Sequence, residues 1–194
     1  MNKNENFIRE YFVEEKICDD LIDYYKKNSE KITEGNVKNY SKIENEIETE
    51  IDKEIKDCYQ LTIHFNNSEQ QIYNYRIALD KILTSYIKEF KQVDSIGKFN
   101  ITTNFNIQHY KSGGGFKKWH CERGGKSTMG RLLVFMTYLN DVDDGGTDFL
   151  YQNLTTQAKK GKTIIWPAEW THTHKGQISE KKEKYIVTGW YNFI

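Results

Sequence analysis

The apolar residues of this chain change their period near Ile101, and that change limits the fold more than any other feature. Beyond it, the segments ITTNFNIQHY, GRLLVFMTYLN, KTIIWPAEWTHTH and KYIVTGWYNF are rich in β-branched and aromatic residues, the composition of strands. KSGGG, DVDDGG, KKGK and KGQISEKKE lie between them and supply turn chemistry. Strands of about 8–10 residues with no helical segment among them predict an antiparallel sandwich or barrel. Before Ile101 the period is helical. Phe7, Ile8, Tyr11, Phe12, Ile17, Cys18, Leu21, Ile22 and Tyr25 predict an amphipathic helix over 6–27. Ile72, Tyr75, Leu79, Ile82, Leu83, Tyr86 and Phe90 predict a longer one, with Asn67 or Ser68 as its cap. The segment between them, NSEKITEGNVKNYSKIENEIETEIDKEIKDC, alternates Glu or Lys with Ile. It fits a solvated helix or an extended arm. No internal repeat is present, and Pro167 is the only proline, so no Pro-rich linker divides the chain. The expectation is a single domain, with an integral helical support over residues 1–100 packed on a jelly-roll-like barrel over residues 101–194.

Charge and cysteine usage narrow the function classes. Lys+Arg and Asp+Glu both number 28 in the 194 residues, a formal net charge of zero. Neutrality removes the electrostatic case for a dedicated nucleic-acid or anionic-membrane binder. Mean hydropathy is −0.79, yet 14% aromatic residues supply large side chains for a core. No apolar run approaches the roughly 18–20 residues of a membrane span. The opening MNKNENFIREYF lacks the apolar core and cleavage site of a signal peptide. Cys18, Cys58 and Cys121 are far apart and form no CxxC, which argues against a disulfide framework or a structural zinc site. A soluble, cytoplasmic protein is expected.

Four of the five histidines lie in the strand-rich half. In KKWHCERGG, His120 and Glu122 stand two apart, and residues i and i+2 of a strand share a face. In WTHTHKG, His172 and His174 repeat that spacing. Two histidines and one carboxylate make the facial triad of a non-haem Fe(II) site, although zinc accepts the same ligands. Lys184 follows His174 by ten residues, and alternation places Lys184, Ile186, Thr188 and Trp190 on one face. An inward lysine on an aromatic strand needs an anionic partner, which a dicarboxylate beside the metal would supply. Fe(II), one glutamate, a dicarboxylate and Lys184 then sum to zero charge. Tyr138 and Met136 share a face while Arg131 has the opposite parity, so Arg131 is expected at the rim, toward substrate; a surface ion pair is the plain alternative.

These landmarks have an order. Tyr110 stands ten residues before His120, and Arg131 opens RLLVFMTYLND, whose Tyr138-Leu139-Asn140 precedes the turn DDGGTDF. Lys160-Gly161 opens the strand ending in Trp166-Pro167, and His174-Lys175-Gly176, Lys184 and Trp190 complete the string. In this order the stretch Gln108–Phe193 resembles the catalytic barrel of the Fe(II)/2-oxoglutarate oxygenases, in particular their prolyl 4-hydroxylase-like group. The resemblance implies a mainly β, α+β fold built on a double-stranded β-helix (jelly-roll, cupin-like). It implies iron bound by His120, Glu122 and His174, with 2-oxoglutarate held by Lys184, Tyr110 and Tyr138. O2 would be the oxidant and ascorbate the reductant that maintains Fe(II). The activity implied is hydroxylation of an unactivated C–H, most readily a prolyl residue of a peptide or protein, with release of succinate and CO2.

The chain departs from the family's pattern at three places. Glu122 stands where most members have aspartate, moving the carboxylate outward by about 1.5 Å. The family's Gly-Gly-Glu-Thr turn reads Gly145-Gly146-Thr147-Asp148, which puts its threonine contact in doubt. His172 competes with His174; parity does not separate them, and the His-x-Gly context with the ten-residue gap to Lys184 favours His174. Cys121 reads as a small hydrophobe between the ligands, Gly113–Gly115 as a turn or a substrate-facing lid, and His64 and His109 have no partner. Two alternatives remain on these residues. One is the same chemistry on a metabolite, free amino acid or nucleobase. The other is a non-catalytic cupin-like module using the histidines for zinc or packing, which leaves Lys184 and Tyr110 unexplained.

Overall fold

The computed structural model describes residues 5–40 and 47–194; residues 1–4, and residues 41–46 of the polar stretch, lie outside the described residues. The N-terminal part forms β1 (Arg9–Phe12), α1 (Glu15–Lys27), β2 (Thr33–Glu34), β3 (Val37–Tyr40), β4 (Ile47–Glu50), β5 (Lys56–Asp57), β6 (Tyr59–Ile63), α2 (Gln70–Glu89) and α3 (Gln92–Ser95). There follow β7 (Phe99–Asn100), β8 (Phe105–Tyr110), β9 (Gly115–Phe116), β10 (Arg131–Tyr138), β11 (Val142–Phe149), β12 (Leu154–Ala158), β13 (Lys162–Pro167), β14 (His174–Gly176) and β15 (Lys184–Phe193). The major sheet runs β1-β13-β10-β15-β8-β6-β2, with β7 on the end of β15, and the minor sheet runs β12-β11-β14. Every pairing is antiparallel. This is the double-stranded β-helix that the strand pattern and the resemblance predict.

Strand alternation divides the core in two. Leu133 and Phe135 of β10 and Tyr185, Val187 and Tyr191 of β15 face the helices, meeting Leu21, Ile72, Tyr75 and Leu79. Val134, Met136, Tyr138 and Ile186, one position out of phase, face the minor sheet together with Phe149 and Trp166. On the helical side the polar groups pair with one another: the Tyr75 hydroxyl meets Thr137 Oγ1 at 2.8 Å, and Thr137 meets Thr163 at 2.7 Å. Gly189 is required there, because a Cβ would lie 2.6 Å from Phe105 Cβ and collide with the Phe135 ring. The helices thus brace one face of the sheet and leave the other to form the site.

Three local features differ from the sequence expectations, and one choice left open by the sequence is resolved. Residues 9–12 are a strand, not the first turn of a helix. They pair with Lys162–Ile165 of β13, whose open edge satisfies their backbone groups. The polar stretch adopts its extended option over the described residues, with a short 3-10 turn at Ser29–Lys31. At the start of α2 the cap residue is Glu69, whose side chain makes no capping bond; Asn67 Oδ1 instead accepts from Glu69 N at 2.9 Å. The segment after Pro167 breaks out of the strand into a 3-10 turn, Trp170–His172, before β14. Among the described residues, no helix is long and apolar enough to cross a membrane.

Candidate active site

A cavity of about 610 Å³ opens between the two sheets, within the range of small-molecule and cofactor sites. His120 and His174 meet across it through a reciprocal backbone bridge: His120 N donates to His174 O at 3.0 Å and His174 N to His120 O at 2.8 Å. His120 therefore reaches β14 from a loop, not from the strand that its spacing with Glu122 suggested. Each imidazole uses Nδ1 on a carbonyl, His120 on Lys118 O and His174 on His172 O, both at 2.9 Å. A carbonyl only accepts, so the proton sits on Nδ1 and the Nε2 lone pair is free. Both Nε2 atoms face Glu122 Oε1, at 3.5 and 3.6 Å. These gaps are long for hydrogen bonds. They suit donors sharing one ion at 2.0–2.2 Å, which lie roughly 3–3.5 Å apart. The three residues form a group able to hold a metal ion, its ligand atoms within 4.8 Å of one another.

The glutamate is fixed by its other oxygen. Trp190 Nε1 donates to Oε2 at 2.9 Å and Arg131 Nη1 donates to it at 3.0 Å. Arg131 also donates to Glu122 O at 2.8 Å, and its guanidinium lies 3.5 Å from the Trp190 ring centre. Burial pushes the Glu122 carboxyl upward, yet the group is held well below the usual carboxylate range, and the fixed cation beside it that favours the anion is the Arg131 guanidinium. Arg131 therefore lies on the same side as Met136 and Tyr138, contrary to strict alternation. A β-bulge between Arg131 and Leu133 inserts one residue against β15 and reverses the parity.

The far end of the cavity belongs to β8 and β15. Lys184, Ile186, Thr188 and Trp190 all line it, as alternation requires. Lys184 is 5% exposed, and its Nζ donates to Gly145 O and Gln177 O, each at 2.8 Å. An ammonium has three donors, so one is left over. No carboxylate among the described residues forms an ion pair with it. Burial lowers its pKa to about 8. Tyr110 stands opposite Lys184 in the β8–β15 register, and its hydroxyl donates to Gln108 Oε1 at 2.7 Å. The Tyr138 hydroxyl bonds to Thr147 Oγ1 at 2.7 Å and Thr156 Oγ1 at 2.9 Å. Gly146 permits that cluster, since a Cβ there would run into Thr156 O.

His172 takes no part. It ends the 3-10 turn, buried, with Nε2 at 2.9 Å from Asn6 O. His109 bonds Glu183 at 2.8 Å and stacks on Tyr185, away from the cavity. Sequence reasoning missed Phe116, whose ring stacks on His120 at 3.6 Å between centroids, and Gln108, which shares the parity of Tyr110. It also missed Lys56 and Gln60, which line the cavity from β5 and β6.

The family model described as the 2OG-Fe(II) oxygenase superfamily matches residues 105–192. Those residues belong to that superfamily. The chain is accordingly a 2-oxoglutarate-dependent dioxygenase, and its family brings Fe(II), 2-oxoglutarate and O2 to a cavity whose His-Glu-His group fits such an ion. Comparison with curated proteins returns no significant sequence match. Solved structures nevertheless share the oxygenase's fold. A prolyl-4-hydroxylase from Pseudomonas putida superposes with TM-score 0.70 at 14% identity, covering 97% of this chain and 94% of its own. A viral collagen prolyl hydroxylase from Paramecium Bursaria Chlorella virus-1, solved with 2OG, gives 0.71 at 17% identity and covers 100% of both chains. A Trichoplax adhaerens prolyl hydroxylase, solved with a hypoxia inducible factor oxygen degradation domain peptide fragment, gives 0.70 at 15% identity over 98% of this chain and 85% of its own. The oxygenase thus has a prolyl 4-hydroxylase-like fold.

Proposed function

We propose that this oxygenase hydroxylates a prolyl residue of a peptide or protein. The observation that carries the reading is the convergence of His120, Glu122 and His174 on one point of a cavity whose other end holds a buried lysine that forms no ion pair with a carboxylate among the described residues. The resemblance of the whole fold to prolyl hydroxylases, one of them holding a peptide, supports the choice of substrate. Iron, 2-oxoglutarate and O2 together supply an oxidative decarboxylation, releasing succinate and CO2, that places an oxygen atom in a C–H bond.

The chain's own residues do the rest. His120 and His174 offer Nε2 lone pairs, set by their Nδ1 bonds to carbonyls. Glu122 offers Oε1 while Trp190 and Arg131 occupy Oε2. Lys184 presents its remaining N–H to the distal carboxylate of the cosubstrate, and Tyr138 and Tyr110 donate to the same group, Tyr110 by releasing Gln108. The Thr147 and Thr156 hydroxyls orient Tyr138. Arg131 stands between Glu122 and the substrate side. Ascorbate as reductant and the cytoplasm as compartment belong to the same proposal. So does a single domain, because β1, β2 and β6 complete the major sheet; residues 101–194 expressed alone should show no cooperative melt.

The test is mass spectrometry of proline-containing peptide libraries after turnover. Products heavier by one oxygen atom are expected at proline. Oxidation confined to other residues or to metabolites would overturn the prolyl reading and leave the oxygenase chemistry intact. Anaerobic addition of Fe(II) and 2-oxoglutarate should give a weak visible charge-transfer band, and Glu122→Ala should abolish it.

A further inference from the structure

Three lysines are buried among the described residues: Lys56, Lys162 and Lys184, at 6%, 7% and 5% exposure. Lys162 is neutralised by Glu10, at 2.9 Å. The other two both line the cavity, and neither forms an ion pair with a carboxylate among the described residues. The requirement at Lys184 is met by the distal carboxylate of 2-oxoglutarate. Lys56 is in the same electrostatic condition with nothing assigned to it. Its Nζ donates to Gln60 Oε1 at 2.9 Å and makes only a 3.5 Å contact with Asn36 O, both neutral acceptors. At least one of its three donors is therefore unused in a place where an ammonium is expensive.

The position of Lys56 relates it to the reacting end of the cavity. Lys56 pairs with Phe116 in the β5–β9 register, and directly opposed residues project to the same face. The Phe116 ring in turn stacks on His120. Gln60, which accepts from Lys56, is paired in register with Gln108, the acceptor of the Tyr110 hydroxyl. Lys56 is thus tied both to a ligand histidine and to the cosubstrate end, through neutral groups throughout. The charged residues lining the cavity are Lys56, Lys118, Arg131, Lys184 and Glu122, and Glu122 is already matched by Arg131. A cosubstrate with two negative charges balances the iron and leaves an excess of positive charge.

We infer that the substrate is acidic: an aspartate or glutamate carboxylate close in sequence to the reacting residue docks on Lys56. This rests on the peptide-hydroxylase reading above and narrows it to acidic peptides. It makes Lys56 a specificity-determining residue, since an amide in place of the carboxylate leaves the ammonium unpaired in a desolvated site.

The test is isothermal titration of paired synthetic peptides into protein loaded with Mn(II) and 2-oxoglutarate under anaerobic conditions. Each pair carries one central proline and differs by Glu against Gln at a single position, from two before the proline to two after it. At one position the Glu peptide should bind at least tenfold tighter than its Gln twin. Lys56→Gln should bring that ratio to about one, and Lys56→Arg should preserve it, which separates lost charge from lost fold. Equal binding of every pair to the wild-type protein, no binding by any acidic peptide, or a ratio that survives Lys56→Gln overturns the inference. So does a Lys56→Gln protein that melts normally but has lost affinity for 2-oxoglutarate itself, since Lys56 would then serve the cosubstrate. An acidic peptide that binds equally well with alanine in place of proline leaves the inference standing and removes the prolyl reading instead.

Discussion

Lys184 offers a prediction with opposite signs in the free and liganded protein. Its pKa is lowered from 10.5 to about 8 by burial, so keeping the group charged in the free cavity costs about 3 kcal/mol. Between those two values the unfolded chain holds a proton that the folded chain lacks. The contribution of this group to stability therefore rises with pH from about 8 to 10.5, and the full cost is present below 8. A carboxylate about 4 Å away returns on the order of 4 kcal/mol at an effective dielectric of 20, which restores the charged form. Binding of 2-oxoglutarate should thus take up a proton above pH 8, and its affinity should fall about tenfold per unit as the free ammonium is lost. Lys184→Met removes the charge and its cost but orphans Gly145 O and Gln177 O, at about 1–3 kcal/mol each. The melting temperature of the free variant should move little. Its affinity for 2-oxoglutarate should drop on the order of a hundredfold, about 3 kcal/mol, and lose its pH dependence. Isothermal titration of 2-oxoglutarate into Mn(II)-loaded protein between pH 7 and 9.5 measures both effects. A flat wild-type profile, or a methionine variant within threefold of wild type, refutes the reasoning.

Other outcomes follow from the same geometry. His174→Ala should abolish Mn(II) uptake in a metal titration, whereas His172→Ala should bind the metal normally and lose about 1–3 kcal/mol of stability with its bond to Asn6 O. Trp190→Phe deletes the donor to Glu122 Oε2 and should weaken metal affinity by about 10–100-fold with the fold intact by circular dichroism. Leu79→Ala, in the fully buried face of α2, should cost about 2–5 kcal/mol in urea unfolding and leave metal affinity unchanged.

The parts of this protein legible in its sequence are those governed by local periodicity. The face of β15 carrying Lys184 to Trp190, and the buried stripe of α2, followed from alternation and helical spacing alone. What escaped was set by partners remote in sequence or by single-residue irregularities. Residues 9–12 read as helix because their strand exists only through β13, 150 or more residues away. Arg131 was assigned to the wrong face because a bulge adds one residue between Arg131 and Leu133, and the residue inserted there is a leucine, which carries no turn or bulge signal. His172 and His174 had the same parity on paper, and a 3-10 turn separates them in space. Lys56 was hidden by its context, one lysine at the end of a charged run whose Lys53 and Glu54 face solvent.

The backbone bridge between His120 and His174 makes the two imidazoles a rigid couple, moving together and dependent on no metal for their spacing. Glu122 lies just outside that couple and is steered by the indole and guanidinium behind it. The centre therefore has one invariant half and one adjustable half. A carboxylate of different reach can be accommodated by refitting the residues at its back, with the histidine pair undisturbed.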